Sequence, residues 1–366
     1  MRCTQGLIGL AVVLLAMGGA AFGQTHAPWP TDWNNWNDPA LWVTVGNPGN
    51  TGELSGAGAG GYGPDRICGA VNYEYKIGKF EVTAGQYTEF LNAVAKTDTY
   101  GLYHMHMVSG SWNCQIQRID TGSGYTYSVA PDWANRPVNN VSWGDAARFA
   151  NWLTKGQPTG AQGLTTTEDG SYYLNGAISD EALLAVVRKS PEQGGRYYIP
   201  TEHEWYKAAY HKNDGVTGHY FDYSTSSDTM PSNVLANPDP GNNANLCFVD
   251  DYTIGNPYYR TEVGEFENSE SPYGTFDQGG NVWEWNEAIL TDQFGFEWCR
   301  GVRGGSFYFG DGLIHAAYRE NSDLNYPTDE IYVIGFRVSE VPEPATMSLL
   351  ALGGLGMLMR RRSVRG

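Results

Sequence analysis

Basic residues are scarce in this 366-residue chain. Its 23 Lys and Arg face 40 Asp and Glu, for a formal charge of −17. Such a surface repels phosphate backbones, which argues against nucleic acid as a partner. There is no glycine-rich loop followed by Lys, so nucleotide-phosphate chemistry has no cradle. Cysteine is limited to five, with no Cys-x-x-Cys and no Cys/His ligand spacing, which argues against a zinc site. No apolar run reaches the ~20 residues of a permanent membrane helix. Sustained helical periodicity is also missing, since 47 Gly and 18 Pro break the chain into turns and loops and oppose a bundle or coiled coil. What remains is 41% apolar and 17% charged, enough for a packed core.

Both ends read as addresses. Residues 1–23 carry Arg2, an apolar run from Leu7 to Met17 and small residues to Gly23, the pattern of a secretory signal peptide. At the other end, 341–366 hold Pro342-Glu343-Pro344, an apolar stretch from Ala345 to Met359, then Arg360-Arg361-Arg362. This resembles the PEP-CTERM sorting signal. The resemblance implies a transient membrane anchor, held by its basic end under the positive-inside rule and removed by a sorting protease. An ordinary C-terminal anchor is the alternative. Loss of both ends strips five basic residues and one acid, leaving a still more acidic protein with Cys68, Cys114, Cys247 and Cys299. Four cysteines in an oxidising compartment allow three pairings, among which sequence does not choose.

Residues 24–66 form a Trp- and Gly-rich extension in which Trp42–Val45 reads as a strand. Four tryptophans there favour docking over a free linker. From 67 to 340 one domain is expected, with three helix starts in the same grammar. Thr83-x-x-Gln86, Ser142-x-x-Asp145 and Thr201-x-x-Glu204 are capping boxes, each followed by an apolar face. Glu204 therefore has a structural task. A fourth helix fits 180–188, and short strands fit 74–80, 197–199, 301–307 and 335–338.

Six ordered segments carry a resemblance. They are Tyr75-Lys-Ile-Gly-Lys-Phe-Glu-Val-Thr83, Arg136-Pro-Val-Asn-Asn-Val-Ser-Trp143, Ile199-Pro-Thr-Glu-His-Glu-Trp-Tyr-Lys-Ala-Ala209, Tyr273-Gly-Thr-Phe-Asp-Gln-Gly-Gly-Asn-Val-Trp-Glu-Trp285, Arg303-Gly-Gly-Ser-Phe307 and Gly335-Phe-Arg-Val338. Together they resemble the sulfatase-modifying factor family, whose founding activity is the formylglycine-generating enzyme. The resemblance implies an α+β, irregular C-type-lectin-like fold with short strands, three to four helices and long loops. It also implies a copper-binding cysteine pair, whose positions here hold Phe309 and Ile314. Neither side chain can supply a thiolate, so copper and cysteine oxidation are not expected. The family's iron branch finds no facial triad here: His104-Met-His106 lacks an acidic partner in sequence, and His203 and His211 lie two helical turns apart.

The resemblance further implies structural calcium, with Asp277, Gly280, Val282 and Glu284 as ligands and a second site at Asn245 and Leu246, aided by Asp251. A glycine-rich turn can aim several carbonyls at a cation that wants six to eight oxygens. The residues leave another reading of Glu284 open, as a buried carboxylate held by backbone N–H groups between Trp283 and Trp285. Two functions stand. One is a non-catalytic surface or matrix module that binds glycan or another envelope component, for which 12 Trp and 24 Tyr supply stacking platforms. The other is a diverged oxidoreductase or other enzyme acting on an exported substrate.

Overall fold

The structure is a computed structural model, and it describes residues 30, 32–248, 251–291, 297–320 and 325–342. The expected signal peptide and all but the first residues of the sorting segment lie outside the described residues. No helix among the described residues is long and apolar enough to cross a membrane.

All three capping boxes form. Thr83, Ser142 and Thr201 each accept the amide three residues on, and Gln86, Asp145 and Glu204 bond back, starting α1 (Ala84–Val94), α3 (Trp143–Thr154) and α5 (Glu202–Tyr210). Reciprocal caps satisfy two orphan donors at each start, which is why a local four-residue pattern suffices to place them. The shorter α2 (Pro131–Ala134) opens on a proline, and α4 (Asp180–Leu184) on a Ser179 cap. The expected fourth helix is thus shorter than 180–188.

A four-stranded antiparallel sheet runs in the order β1 (Trp42–Val45), β4 (Tyr75–Gly78), β13 (Ser339–Glu340), β7 (Tyr197–Tyr198). The first and last strands of the described residues therefore lie in one sheet. Trp36 closes the same region, with its ring edge-on to Trp42 and Phe149. A second sheet places β10 (Trp283–Thr291) between β11 (Glu297–Arg303), antiparallel, and β12 (Ile334–Gly335), parallel. The sequence reading missed β10, the longest strand among the described residues. Its residues Trp-Glu-Trp-Asn are all buried, so the polar–apolar alternation that marks a half-buried strand is absent. Three ribbons complete the fold: β2 (Glu53–Ser55) with β3 (Arg66–Cys68), β5 (Gln117–Asp120) with β6 (Tyr125–Ser128), and β8 (Cys247–Phe248) with β9 (Asp251–Tyr252). The main core joins both sheets to α1 and α3 through Tyr87, Phe90, Phe149, Trp152 and Phe336.

Candidate functional site

Beneath the 277–284 turn lies a fully buried charged centre. Glu284, on β10, receives Arg337 twice, Nε to Oε2 at 2.6 Å and Nη2 to Oε1 at 2.6 Å, and Trp205 Nε1 reaches Oε2 at 2.7 Å. Arg337 also donates to the carbonyls of Gly78 and Phe276 at 3.0 and 2.8 Å. Glu284 is therefore held by a guanidinium and an indole, and the alternative of backbone amides is replaced by side chains from distant segments. A cation ligated by Glu284 would have to share that carboxylate with Arg337, so Glu284 fits poorly as a metal ligand.

The surrounding charge does suit a cation. The buried Glu81 and Glu284 and the half-buried Asp277 share Arg337 as their positive group. Burial, then the nearby carboxylates, pushes Glu81 well up, and burial raises Asp277 to about 7 against the pull of Gly264 N–H and Arg337. Asp277 sits at φ 62 and receives the Gly264 amide at 2.6 Å. Gly280 lies so close to Asn245 that a Cβ would come 2.4 Å from the Asn245 carbonyl oxygen, so only glycine permits this approach. The Asn245 amide donates to Tyr259 O and Asn281 Oδ1, both at 3.0 Å, while its own Oδ1 is buried without a partner. The carbonyl of Leu246 is committed differently, accepting Thr253 N–H and Oγ1–H at 3.1 Å. Asp251 is exposed, on β9. Of the expected donors, the Asn245 side-chain oxygen is open and Asp277 bonds the Gly264 amide through one oxygen, so these two fit a hard cation, whereas both Glu284 oxygens and the Leu246 carbonyl are engaged.

The positions of the family's thiols lie elsewhere. Ile314 is buried with Ala244 and Leu246, and Phe309 packs edge-on to Tyr308 at 5.4 Å and Trp283 at 6.2 Å. Around Phe309 the loops assemble an aromatic face. Trp112 is 36% exposed and stacks on Tyr332 at 5.1 Å and 25°. It meets Tyr308 edge-on at 5.4 Å and Tyr259 at 6.0 Å. On the far side of Phe309, Trp283 leads to Tyr318, which stacks on the exposed Tyr62 at 5.3 Å. Among the described residues, the hydroxyls of Tyr259, Tyr308 and Tyr332 and the indole N–H of Trp112 have no hydrogen-bond partner in the protein, and none of them is a buried orphan. These are half-buried rings with polar edges turned to solvent, the amphipathic character that aromatic side chains bring to binding surfaces. Trp112 was missed in sequence. Its polar neighbours Ser111 and Asn113 were the available signal.

The other marked residues have structural partners. His104 and His106 pack ring to ring at 4.6 Å, and the acidic neighbour that sequence did not show is Glu330, with Oε2 3.9 Å from His104 Nε2. Burial, then Asp145 and Asp98, pushes Glu330 up to about 9, while burial and His106 lower His104. His203 faces Arg66 and His211 faces Tyr273, so the two do not converge. No group of three His, Cys, Asp or Glu suited to a metal occurs among the described residues. Glu204 combines its cap with Arg188, at 2.9 Å, and Tyr73. Glu202 gathers Arg66, Arg303 and Arg319, which overcome its burial and hold it well below the usual carboxylate range. Cys68, Cys114, Cys247 and Cys299 are buried, and burial, then Glu202, raises the Cys68 thiol to about 11. High-pKa thiols are poor nucleophiles and poor metal ligands.

Two regions of the chain match known family models. Residues 68–341 match the family described as Sulfatase-modifying factor enzyme 1-like domain, and residues 340–363 match the PEP-CTERM protein-sorting motif, which marks an exported protein delivered to the cell envelope. No curated protein matches the chain. Among solved structures, CarF is similar at 23% identity and TM-score 0.48, over 82% of this chain and 98% of its own. Treponema denticola variable protein 1 is similar at 17% and 0.49, over 82% and 95%, and PvdO from Pseudomonas aeruginosa at 17% and 0.46, over 82% and 94%. With the matched region covering most of the chain and its six motifs converging on one sheet-and-loop domain, the protein belongs to the sulfatase-modifying factor enzyme 1-like family.

Proposed function

We propose that this chain is a non-catalytic binding module of the cell surface or matrix, which has exchanged the family's thiol chemistry for recognition. The observation that carries the reading is the content of the two thiol positions. Phe309 joins an aromatic face and Ile314 is packed in an apolar cluster, so two thiolates cannot meet there. Cys247 comes near, its amide donating to the Phe309 carbonyl at 3.1 Å, but one unpaired cysteine cannot form the required pair. The family's copper chemistry needs such a pair of low-pKa thiolates, and positions 309 and 314 do not supply it.

We further propose a structural calcium ion on the Asp277 turn, with the Gly280 and Val282 carbonyls as companions and Asn245 Oδ1 as the second-site donor. The hard-oxygen donors and the surplus of buried carboxylates over Arg337 support this. The ion would close the turn that carries β10, and its role is stability, not chemistry.

The reading is tested with purified protein spanning residues 24–341. It is expected to oxidise no cysteine peptide after copper loading, and to be retained by polymer from the producing organism's envelope or matrix. Turnover of the cysteine peptide would favour the diverged-enzyme alternative.

A further inference from the structure

The aromatic face invites a statement of what it holds, which rests on the binding-module reading above. Three features constrain the occupant. First, the face is built of rings, with Trp112 exposed and stacked on Tyr332 and bordered by Tyr308 and Tyr259. Flat π-faces of this kind attract polarised C–H groups and offer little to a charged ligand except a cation. Second, its polar edges are open. The Tyr259, Tyr308 and Tyr332 hydroxyls and the Trp112 N–H bond to no protein group among the described residues, although buried Tyr and Trp normally find a partner. They form a ring of donors and acceptors around an apolar floor. Third, the charge is wrong for polyanions. No Lys or Arg belongs to the face, Arg260 is buried and donates to the Pro137 and Asn113 carbonyls, and the chain is −17 overall.

A neutral pyranose satisfies all three. One face of such a sugar presents axial C–H groups, and its rim presents hydroxyls that both donate and accept. We propose that the face centred on Trp112, Tyr308 and Tyr332 binds a neutral polysaccharide, with Trp112 as the stacking platform and the tyrosine hydroxyls reading the sugar rim. An acidic polysaccharide is disfavoured by the protein's own field. A protein ligand is the competing occupant, and protease treatment in the test below separates it from a sugar.

The test is affinity electrophoresis and calorimetry of the 24–341 protein with a panel of neutral glucans, mannans and galactans and with uronic-acid polymers. At least one neutral polymer should bind, with affinity little changed between low and physiological salt. Trp112→Ala should weaken that binding tenfold or more. Because Trp112 also packs on Tyr332, this variant could lose local order, so Tyr308→Phe and Tyr332→Phe provide the control. Each keeps its ring and deletes a hydroxyl that no protein group uses, so melting temperature should hold while affinity falls severalfold. Binding confined to uronic-acid polymers, or neutral-polymer binding unchanged in all three variants, overturns the proposal. If no sugar binds but retention by envelope material is lost in Trp112→Ala and abolished by protease treatment of that material, the sugar inference falls while the binding-module reading stands.

Discussion

Replacing Glu284 by Gln separates a structural carboxylate from a metal ligand. The side chain keeps its size and loses its charge, and an amide N–H₂ replaces one of the oxygens that Arg337 grips at 2.6 Å. Arg337 is fully buried and cannot turn to water. Removing one member of a buried pair leaves the other uncompensated and costs about 3–5 kcal/mol. Unfolding entropy near about 0.6 kcal/mol per kelvin for a chain of roughly 300 residues converts this to a melting-temperature drop of about 5–8 °C. Glu284→Gln, Arg337→Met and the double variant should be compared by calorimetry, each with calcium and with chelator. The double variant should be less destabilised than the sum of the singles, a coupling of at least about 1 kcal/mol. The Glu284→Gln deficit should be the same in calcium and chelator, whereas Asp277→Asn should abolish whatever stabilisation calcium gives the wild type. A deficit that disappears in chelator would make Glu284 the metal's ligand and refute the assignment of its charge to Arg337. A wild type indifferent to chelator would remove calcium altogether.

Three other outcomes follow from the same geometry. Glu330 has a folded pKa raised from 4.5 to about 9, so the folded state holds its proton more tightly than the unfolded chain, and stability from this group is lost as pH rises across that window. Denaturant titrations should show wild-type stability falling between pH 5 and 9 by up to about 1.4 kcal/mol per unit, with a flatter profile in Glu330→Gln; an equal slope in both would refute this. Ser142→Ala removes the cap that meets Asp145 N–H at 3.1 Å and should cost about 1 kcal/mol in urea unfolding, whereas no change would mean that packing alone holds α3. Trp36→Ala empties the contact between the N-terminal segment, Trp42 and Phe149, with an expected cost of about 3–4 kcal/mol and faster proteolysis before residue 66; an unchanged digest would show that the segment is held without it.

Sequence by itself determined the features whose physics is local or additive. The capping boxes at Thr83, Ser142 and Thr201 were legible because each bond spans three residues, and the Trp42–Val45 strand because β-branched and aromatic residues cluster there. Net charge, the missing thiols at 309 and 314, and family membership through ordered motifs were likewise legible in one dimension. Tertiary structure decided where each buried charge found its partner. Glu284 meets Arg337 across 53 positions, and Glu330 meets His104 from the other end of the chain. It also decided that Asn245 keeps an orphaned oxygen while Leu246 does not. The aromatic face exists only there, since Trp112, Tyr259, Tyr308 and Tyr332 come from four loops with no shared periodicity. The reason is that a cap is closed by its own neighbours, whereas a buried ion or an exposed ring is defined by whichever distant segments the core brings against it.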